Sequence, residues 1–338
     1  MTHLTYKGVK ALAVFDDHFI GAKGYNLYKF GFDGDTRGEK IGTVSDWKTS
    51  LFSKFRLTSR FLRAEINRLY TLKDGAMLVI ARKGIFRCES GQKVFRKCFA
   101  ITRGSRPLNL CVTPDGAIFF GEYFANMGKS AVHIYGSYDS GRSWQIVYTF
   151  GEGNINHIHG LFYDKYAEQI WVATGDRENE CIIGYTEDNF DTFCEVFRGG
   201  QEYRTCNLFF YPTHILFATD SQYVTNSIKR FDRNTLEIST LQQLQGSVIK
   251  GTQCGDAALI STTIEPSDVN IDKFSHLWYS PDGESWKDIY KAEKDCLPSI
   301  FQFGSIEFPQ YYIQHMHMII SNGRALKQID GSTILIKL

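Results

Sequence analysis

Residues 133–144 read "HIYGSYDSGRSW", with Ser137, Asp139, Gly141, Ser143 and Trp144 at fixed offsets in the second half. The first half alternates polar and apolar residues, as a strand with one buried face does. The second half has the residues of a tight turn. An Asp side chain can accept backbone N–H bonds across it, and a Gly can take positive φ at no steric cost. A Trp just beyond can pack its ring between layers. The question that decides the fold is whether this strand–turn–strand unit stands alone.

It does not. "CIIGYTEDNFDTF" from Cys181 and "HLWYSPDGESW" from His276 share its layout. Looser copies begin at Asn26, Gly84, Ser227 and Ala325. Upstream of each lie two further apolar runs ended by turn residues, such as "INRLYTLKDG" then "AMLVIARKG", or "HIHGLFYDKY" then "QIWVATGD". Each unit therefore predicts four strands, A to D, and seven units in 338 residues is about 48 residues per unit. A lone four-stranded sheet cannot bury both faces, whereas sheets arranged radially pack each on two neighbours. The expectation is an all-β chain forming a single β-propeller domain of four-stranded antiparallel blades, seven of them, with six as the alternative. Blades are expected at about 9–50, 60–100, 104–150, 154–199, 201–245, 246–295 and 297–338, with no amphipathic helix between them. Residues 1–8 are expected to add a strand that closes the ring.

The quoted turn resembles the Asp-box, or BNR, repeat of sialidase-like propellers, whose pattern is Ser/Thr-x-Asp-x-Gly-x-Thr/Ser-Trp/Phe. Thr186, Asp188, Thr192 and Phe193 fit it with Phe190 in the Gly place, and Ser280, Asp282, Gly283, Ser285 and Trp286 fit it one residue short. The resemblance implies a structural role for Asp139 and Asp282, on the face away from any active site. It also implies that chemistry belongs to the opposite face, where B–C and D–A loops surround the central channel. The Arg-Ile-Pro motif of true sialidases is absent near the N-terminus, and those enzymes have six blades, so the chain does not match a sialidase by motif.

Composition narrows the function classes. The formal net charge is +1 and no basic run is present, which removes the electrostatic footprint of a nucleic-acid binder. No apolar run reaches the ~18 residues of a membrane span, and no export signal is visible, so the expectation is a cytoplasmic protein with no membrane partner. The eight cysteines form no CxxC pair and read as reduced, packed thiols.

The expected active face gathers acids, bases and a tyrosine. The candidates for catalysis are Glu122, Asp176, Tyr203, His157, His159, Asp220 and Glu265; those for substrate binding are Arg63, Arg82, Arg106, Arg177, Glu202, Arg204 and Gln302. A saccharide or polysaccharide is the expected ligand. A glycoside hydrolase acting on an acidic glycan would use two carboxylates, one protonated and one ionised. By the resemblance, Tyr203 would be a sialidase-type nucleophile backed by Glu122 or Glu265, Asp176 or Asp220 would be the acid, and Arg63, Arg82 and Arg204 would grip an anionic sugar. A polysaccharide lyase would instead use His157 or His159 with Tyr203 and Arg204 to remove a proton beside a carboxylate and stabilise the resulting charge. A non-catalytic glycan- or protein-binding platform is the third reading. No cofactor is expected beyond a divalent metal that His157 and His159, two apart on one strand, could ligate. A second pair, His315 and His317, is expected in mid-strand, below the active face.

Overall fold

The computed structural model describes residues 3–338, apart from the side chains of residues 47 and 48. The chain is a seven-bladed β-propeller. Blade 1 runs Lys10–Val14, Phe19–Lys23, Asn26–Phe30 and Glu39–Val44. Blade 2 runs Ile66–Thr71, Met77–Ala81, Gly84–Cys88 and Val94–Ala100. Blade 3 has a short inner strand, Cys111–Val112, then Ile118–Gly121, Val132–Ser137 and Gln145–Phe150. Blade 4 runs His157–Asp164, Gln169–Gly175, Cys181–Thr186 and Cys194–Gly199; blade 5, Thr205–Phe210, His214–Thr219, Ser227–Asp232 and Ile238–Gln243; blade 6, Lys250–Cys254, Ala257–Ser261, Phe274–Ser280 and Lys287–Glu293.

Blade 7 contains Ser305–Glu307, Met318–Arg324 and Ser332–Lys337, and takes its outer strand from the other end of the chain, His3–Lys7. The pairing is antiparallel and runs from His3 opposite Ile336 to Lys7 opposite Ser332. Residues 1 and 2 of the expected closing strand lie outside the described residues. Tyr6 locks the clasp: its ring is fully buried, and its hydroxyl donates to the Gly31 carbonyl (2.8 Å) and accepts from Gly34 N (2.9 Å).

The core divides as the ring requires. There are seven buried apolar clusters among the described residues, one for each blade–blade interface. Leu12, Leu27, Val79 and Phe86 join blades 1 and 2, and Tyr6, Phe19, Ile320 and Leu335 join blades 7 and 1. Every blade thus buries both faces against its neighbours, which a single sheet could not do alone.

Three local readings of the sequence are corrected. The first is a helical pair, α1 (Trp47–Ser53) and α2 (Arg56–Leu62), between blades 1 and 2, where no helix was expected. Leu51, Phe52, Phe55, Leu57 and Phe61 are exposed there, so apolar periodicity gave no core-facing stripe to read. Arg60 docks the pair by ion pairs to Asp295 and Asp330. The second is the unit from Ala325, which makes the B–C turn of blade 7 rather than a C–D turn, because the outer strand is supplied by His3–Lys7. The third is the pair His315 and His317, which precedes the strand Met318–Arg324 in an exposed loop.

The Asp-type turns share one hydrogen-bond pattern. Asp139 Oδ1 accepts from Arg142 N (3.0 Å) and Ser143 N (2.9 Å), and Trp144 Nε1 donates to Gly141 O (3.2 Å). Asp188 accepts from Thr192 N, and Asp282 from Ser285 N. The residues at the glycine position have φ of 82° (Gly141), 78° (Phe190) and 79° (Gly283), so Phe190 holds a left-handed conformation that glycine takes freely.

Candidate functional site

The inner strands do not start regularly. A register shift displaces one residue between Ile158 and Gly160, and His159 is that extra residue. Similar shifts fall at Leu12, Asn67 and the pair Cys206–Asn207 in blades 1, 2 and 5. A bulge bends the strand and re-aims its side chain, here toward the channel. His159 lies over Gly175, where an added Cβ would come within 2.7 Å of its ring.

Asp176 follows Gly175 and gathers the cluster. Its Oδ2 lies 3.3 Å from His157 Nε2 and its Oδ1 3.3 Å from His159 Nε2. Arg204 Nη2 approaches Oδ1 at 3.0 Å, and Asn156 Nδ2 donates to Oδ2 at 2.9 Å. Gln201 Nε2 donates to the Asp176 carbonyl (2.8 Å), holding the turn Gln201–Tyr203 and hence Arg204 in place. Burial alone would raise the Asp176 carboxyl, but the hydrogen bonds and charges of His157 and His159 outweigh it and hold the group far below the usual carboxylate range. The imidazole Nδ1 atoms face the Phe124 carbonyl (3.1 Å, His157) and the Thr205 carbonyl (3.0 Å, His159).

A second carboxylate, Asp220, stands across Arg204, with Oδ2 3.8 Å from Nη2. The buried Cys206 thiol contacts Oδ2 at 3.4 Å. Burial, then the Asp220 charge, pushes that thiol well up, so it stays protonated and donates. Asp220 Oδ1 is buried and has no hydrogen-bond partner among the described residues. Glu265 completes the group. Burial, then the Asp220 charge, raises its carboxyl, against Arg204 and a 2.6 Å hydrogen bond from Gln222 Nε2.

Of the residues expected at the site, the structure brings together His157, His159, Asp176, Arg204, Asp220 and Glu265. The others are placed elsewhere. Glu122 turns into blade 3, where Arg103 binds it with two nitrogens and His133 N donates to it. Tyr203 stacks on Phe197 (5.1 Å, 8°), among the apolar residues between blades 4 and 5. Arg177 and Glu202 are exposed, and Gln302 donates to the Arg60 carbonyl beneath α2. Arg63 caps α2 with φ of 53° and is exposed, while Arg82 is half-buried beyond the strand Met77–Ala81. Arg106 is buried among cations and carboxylates, and burial, reinforced by Arg324, lowers its guanidinium to about 10.

Two features of the site lie outside the expected catalytic and binding sets. Tyr123 packs against His157 with ring centroids 4.3 Å apart, and burial drives its hydroxyl far above the usual range. A network of charges also joins blades 1, 2, 6 and 7. Lys10 reaches Glu307 (3.0 Å) and Glu65 (3.3 Å), Arg324 reaches Glu307 (2.9 Å) and Glu65, and Lys250 reaches Glu307 (3.6 Å). Glu65 and Lys250 sit at inner-strand starts, and that spacing was the available signal. Opposite partners on distant blades gave none.

A cavity of about 440 Å³ occupies the channel, from Thr71, Tyr163 and Tyr312 at one end to His159, Cys206 and Lys250 at the other. A second, of about 430 Å³, lies beside α1 and α2 and is walled by Lys10, Lys23, Glu65 and Arg324.

No protein-family model matches the chain, and no curated protein matches it. Solved structures share its fold. YCF48 bound to D1 peptide superposes at TM-score 0.57 and 12% identity, over 98% of this chain and 94% of that one. The extracellular domain of the putative one component system BT4673 from B. thetaiotaomicron gives 0.58 and 11%, over 98% and 40%. A GH74 enzyme from Niastella koreensis gives 0.54 and 12%, over 98% and 43%. The chain thus spans about two fifths of the last two proteins. At these identities the likeness is one of fold: all are propellers.

Proposed function

We propose that the protein is a glycoside hydrolase that cleaves a polar, acidic glycan at the channel mouth, with Glu265 as general acid and Asp220 as the opposing carboxylate. The observation that carries this reading is a raised Glu265 carboxyl near an Asp220 whose Oδ1 is buried and unpartnered. Burial and the Asp220 charge raise Glu265, and Gln222 engages only its Oε1, leaving Oε2 to hold a proton. Asp220 keeps a bare, buried Oδ1 for a water or a sugar carbon. A carboxyl raised by its surroundings keeps the proton that an acid role needs, and a second carboxyl across the site can take the opposing role. Asp176 then positions Arg204 and the two imidazoles, and Arg204 meets an acidic substituent of the sugar. The fold itself is compatible, since a GH74 enzyme is built on it, but fold alone does not assign an activity. The Asp-type turns are offered, on the same footing, as a mark of kinship with sialidase-like propellers.

One observation favours a second reading. Tyr123 beside His157, with Arg204 close by, is a base-and-cation set that a β-eliminating lyase needs. Product mass separates the two. Fragments of a glycan summing to substrate plus one water support hydrolysis, and fragments summing to substrate alone, with one unsaturated end, support elimination. For the hydrolase, Glu265→Gln and Asp220→Asn each lower kcat by at least about 100-fold with the thermal midpoint unchanged within a few degrees. Full activity in Glu265→Gln would sink the assignment.

A further inference from the structure

We propose that His157, His159 and Asp176 hold one divalent transition-metal ion of the zinc class at the mouth of the channel, with a coordination position left open. The first argument is the direction of the imidazoles. A carbonyl oxygen only accepts, so each Nδ1 facing Phe124 O or Thr205 O carries the ring hydrogen. In that tautomer each ring turns an Nε2 lone pair away from its carbonyl, and both Nε2 atoms point at the carboxylate of Asp176. Lone pairs on three converging groups repel unless a positive species lies between them. A ring hydrogen tied to a backbone carbonyl with the other nitrogen free is how metal-binding histidines are held.

The second argument is spacing. Two atoms bound to one tetrahedral ion at about 2.0–2.1 Å stand about 3.3 Å apart. Each Nε2 lies 3.3 Å from an Asp176 oxygen, and one ligand atom from each of the three residues falls within 4.8 Å of the others. The third is an orphan. His157 is 5% exposed, and its Nε2 is buried with no hydrogen-bond partner among the described residues. Imidazole with carboxylate suits zinc and its neighbours rather than calcium or magnesium, which take all-oxygen sets.

The surroundings are those of a fixed site. Arg204 and Asn156 donate to Asp176, orienting the carboxylate, and Asp220 stands beside Arg204 and offsets its charge. The bulge at His159 and the bare Gly175 beneath it place the second ring. Three protein ligands leave a fourth position free for water or a substrate oxygen, as in catalytic rather than structural zinc sites. A second triad, His159, Cys206 and Asp220, shares one imidazole with the first, but its thiol is engaged with Asp220. The inference does not rest on the hydrolase reading, because ion uptake is measured without any substrate.

The test is metal content and titration on the full chain, stripped with chelator and dialysed against Zn²⁺. A His315→Ala, His317→Ala background removes the exposed pair that would otherwise bind zinc adventitiously. One ion per chain is expected, with a rise in thermal midpoint. In that background Asp176→Asn, which keeps the shape of the side chain, and His157→Ala should each weaken affinity by more than about 100-fold, beyond the 10–100-fold typical of losing an outer partner. Co²⁺ in place of Zn²⁺ should give the visible bands of a low-coordinate site, absent in both variants. Failure of the stripped protein to take up an ion, or equal uptake by the folded Asp176→Asn protein, overturns the proposal and leaves a proton-bridged His–Asp cluster. A variant that does not fold is replaced by His159→Gln under the same criteria.

Discussion

At the scale of single residues, the turn chemistry shows how opposing terms are settled. Phe190 occupies a left-handed position that Gly141 and Gly283 fill in the sister turns. Such a conformation costs an L-residue about 1–2 kcal/mol. The ring is 3% exposed and packs near Phe119, Tyr148 and Phe193, and losing a buried Phe costs about 3–5 kcal/mol. Packing therefore wins, and Phe190→Gly should destabilise the protein by about 2 kcal/mol in urea unfolding despite relieving the backbone. A stabilised variant would show that strain dominates. The same scale explains which site residues were legible. His157, His159, Asp176 and Arg204 could be located because turn punctuation marked the strand ends. Glu122 and Tyr203 occupy equally suitable sequence positions, but an arginine and a phenylalanine ring engage them, and pairings of that kind are invisible in a one-dimensional reading.

At the scale of elements, the strands were legible and their irregularities were not. Alternating apolar residues between turn signals located four strands per unit. The bulges at Leu12, Asn67, His159 and Cys206–Asn207 leave no such mark, because one extra residue at a strand's edge does not disturb the pattern on either side. Yet the bulge and the glycine beside it put His159 on Asp176. Gly175→Ala would bring a Cβ within 2.7 Å of the His159 Cε1 atom. It should cut Zn²⁺ affinity by about 10-fold, the range seen when a ligand's support is disturbed, with far-UV dichroism unchanged. Unchanged affinity would mean that the ring finds the same place without the gap. The helical pair α1–α2 was missed for a different reason: it is short, presents its apolar side chains to solvent, and is held by Arg60 reaching Asp295 and Asp330 on the far side of the chain.

At the scale of the whole molecule, the period of the sequence was enough to predict the ring, since seven units must make seven interfaces. The charge network in the channel was not, because its members come from blades 1, 2, 6 and 7. That network ties stability to acidity. Burial would raise the Glu65 and Glu307 carboxyls, but Arg324 and Lys10 hold both well below the usual range, and Lys250 adds to the pull on Glu307. As pH falls past about 4.3, the unfolded chain takes up protons before the folded one. The contribution of these groups is full above that pH and is lost as pH falls through the folded values. The thermal midpoint should therefore drop steeply below about pH 4.3, and the slope should be shallower in Glu307→Gln, which is also less stable at neutral pH by about 3–5 kcal/mol because it strands buried cations. An identical slope in the variant would remove Glu307 from the account.

The clasp bears on the order of events during synthesis. His3–Lys7 is synthesised before blades 1 to 6, and its partner Ser332–Lys337 only after them. Until residue 332 is made, the strand His3–Lys7 has no partner, and the blade 1 face formed by Val9, Ala11, Val14 and Phe19 lacks Leu335. Blades 1 to 6 can assemble in sequence as they emerge, but the interface between blades 7 and 1 is completed only when Ser332–Lys337 is made. A growing chain therefore carries one incompletely covered apolar flank and one unpaired strand until residues 332–337 are made, and a chain that stops short of them is left as an open arc.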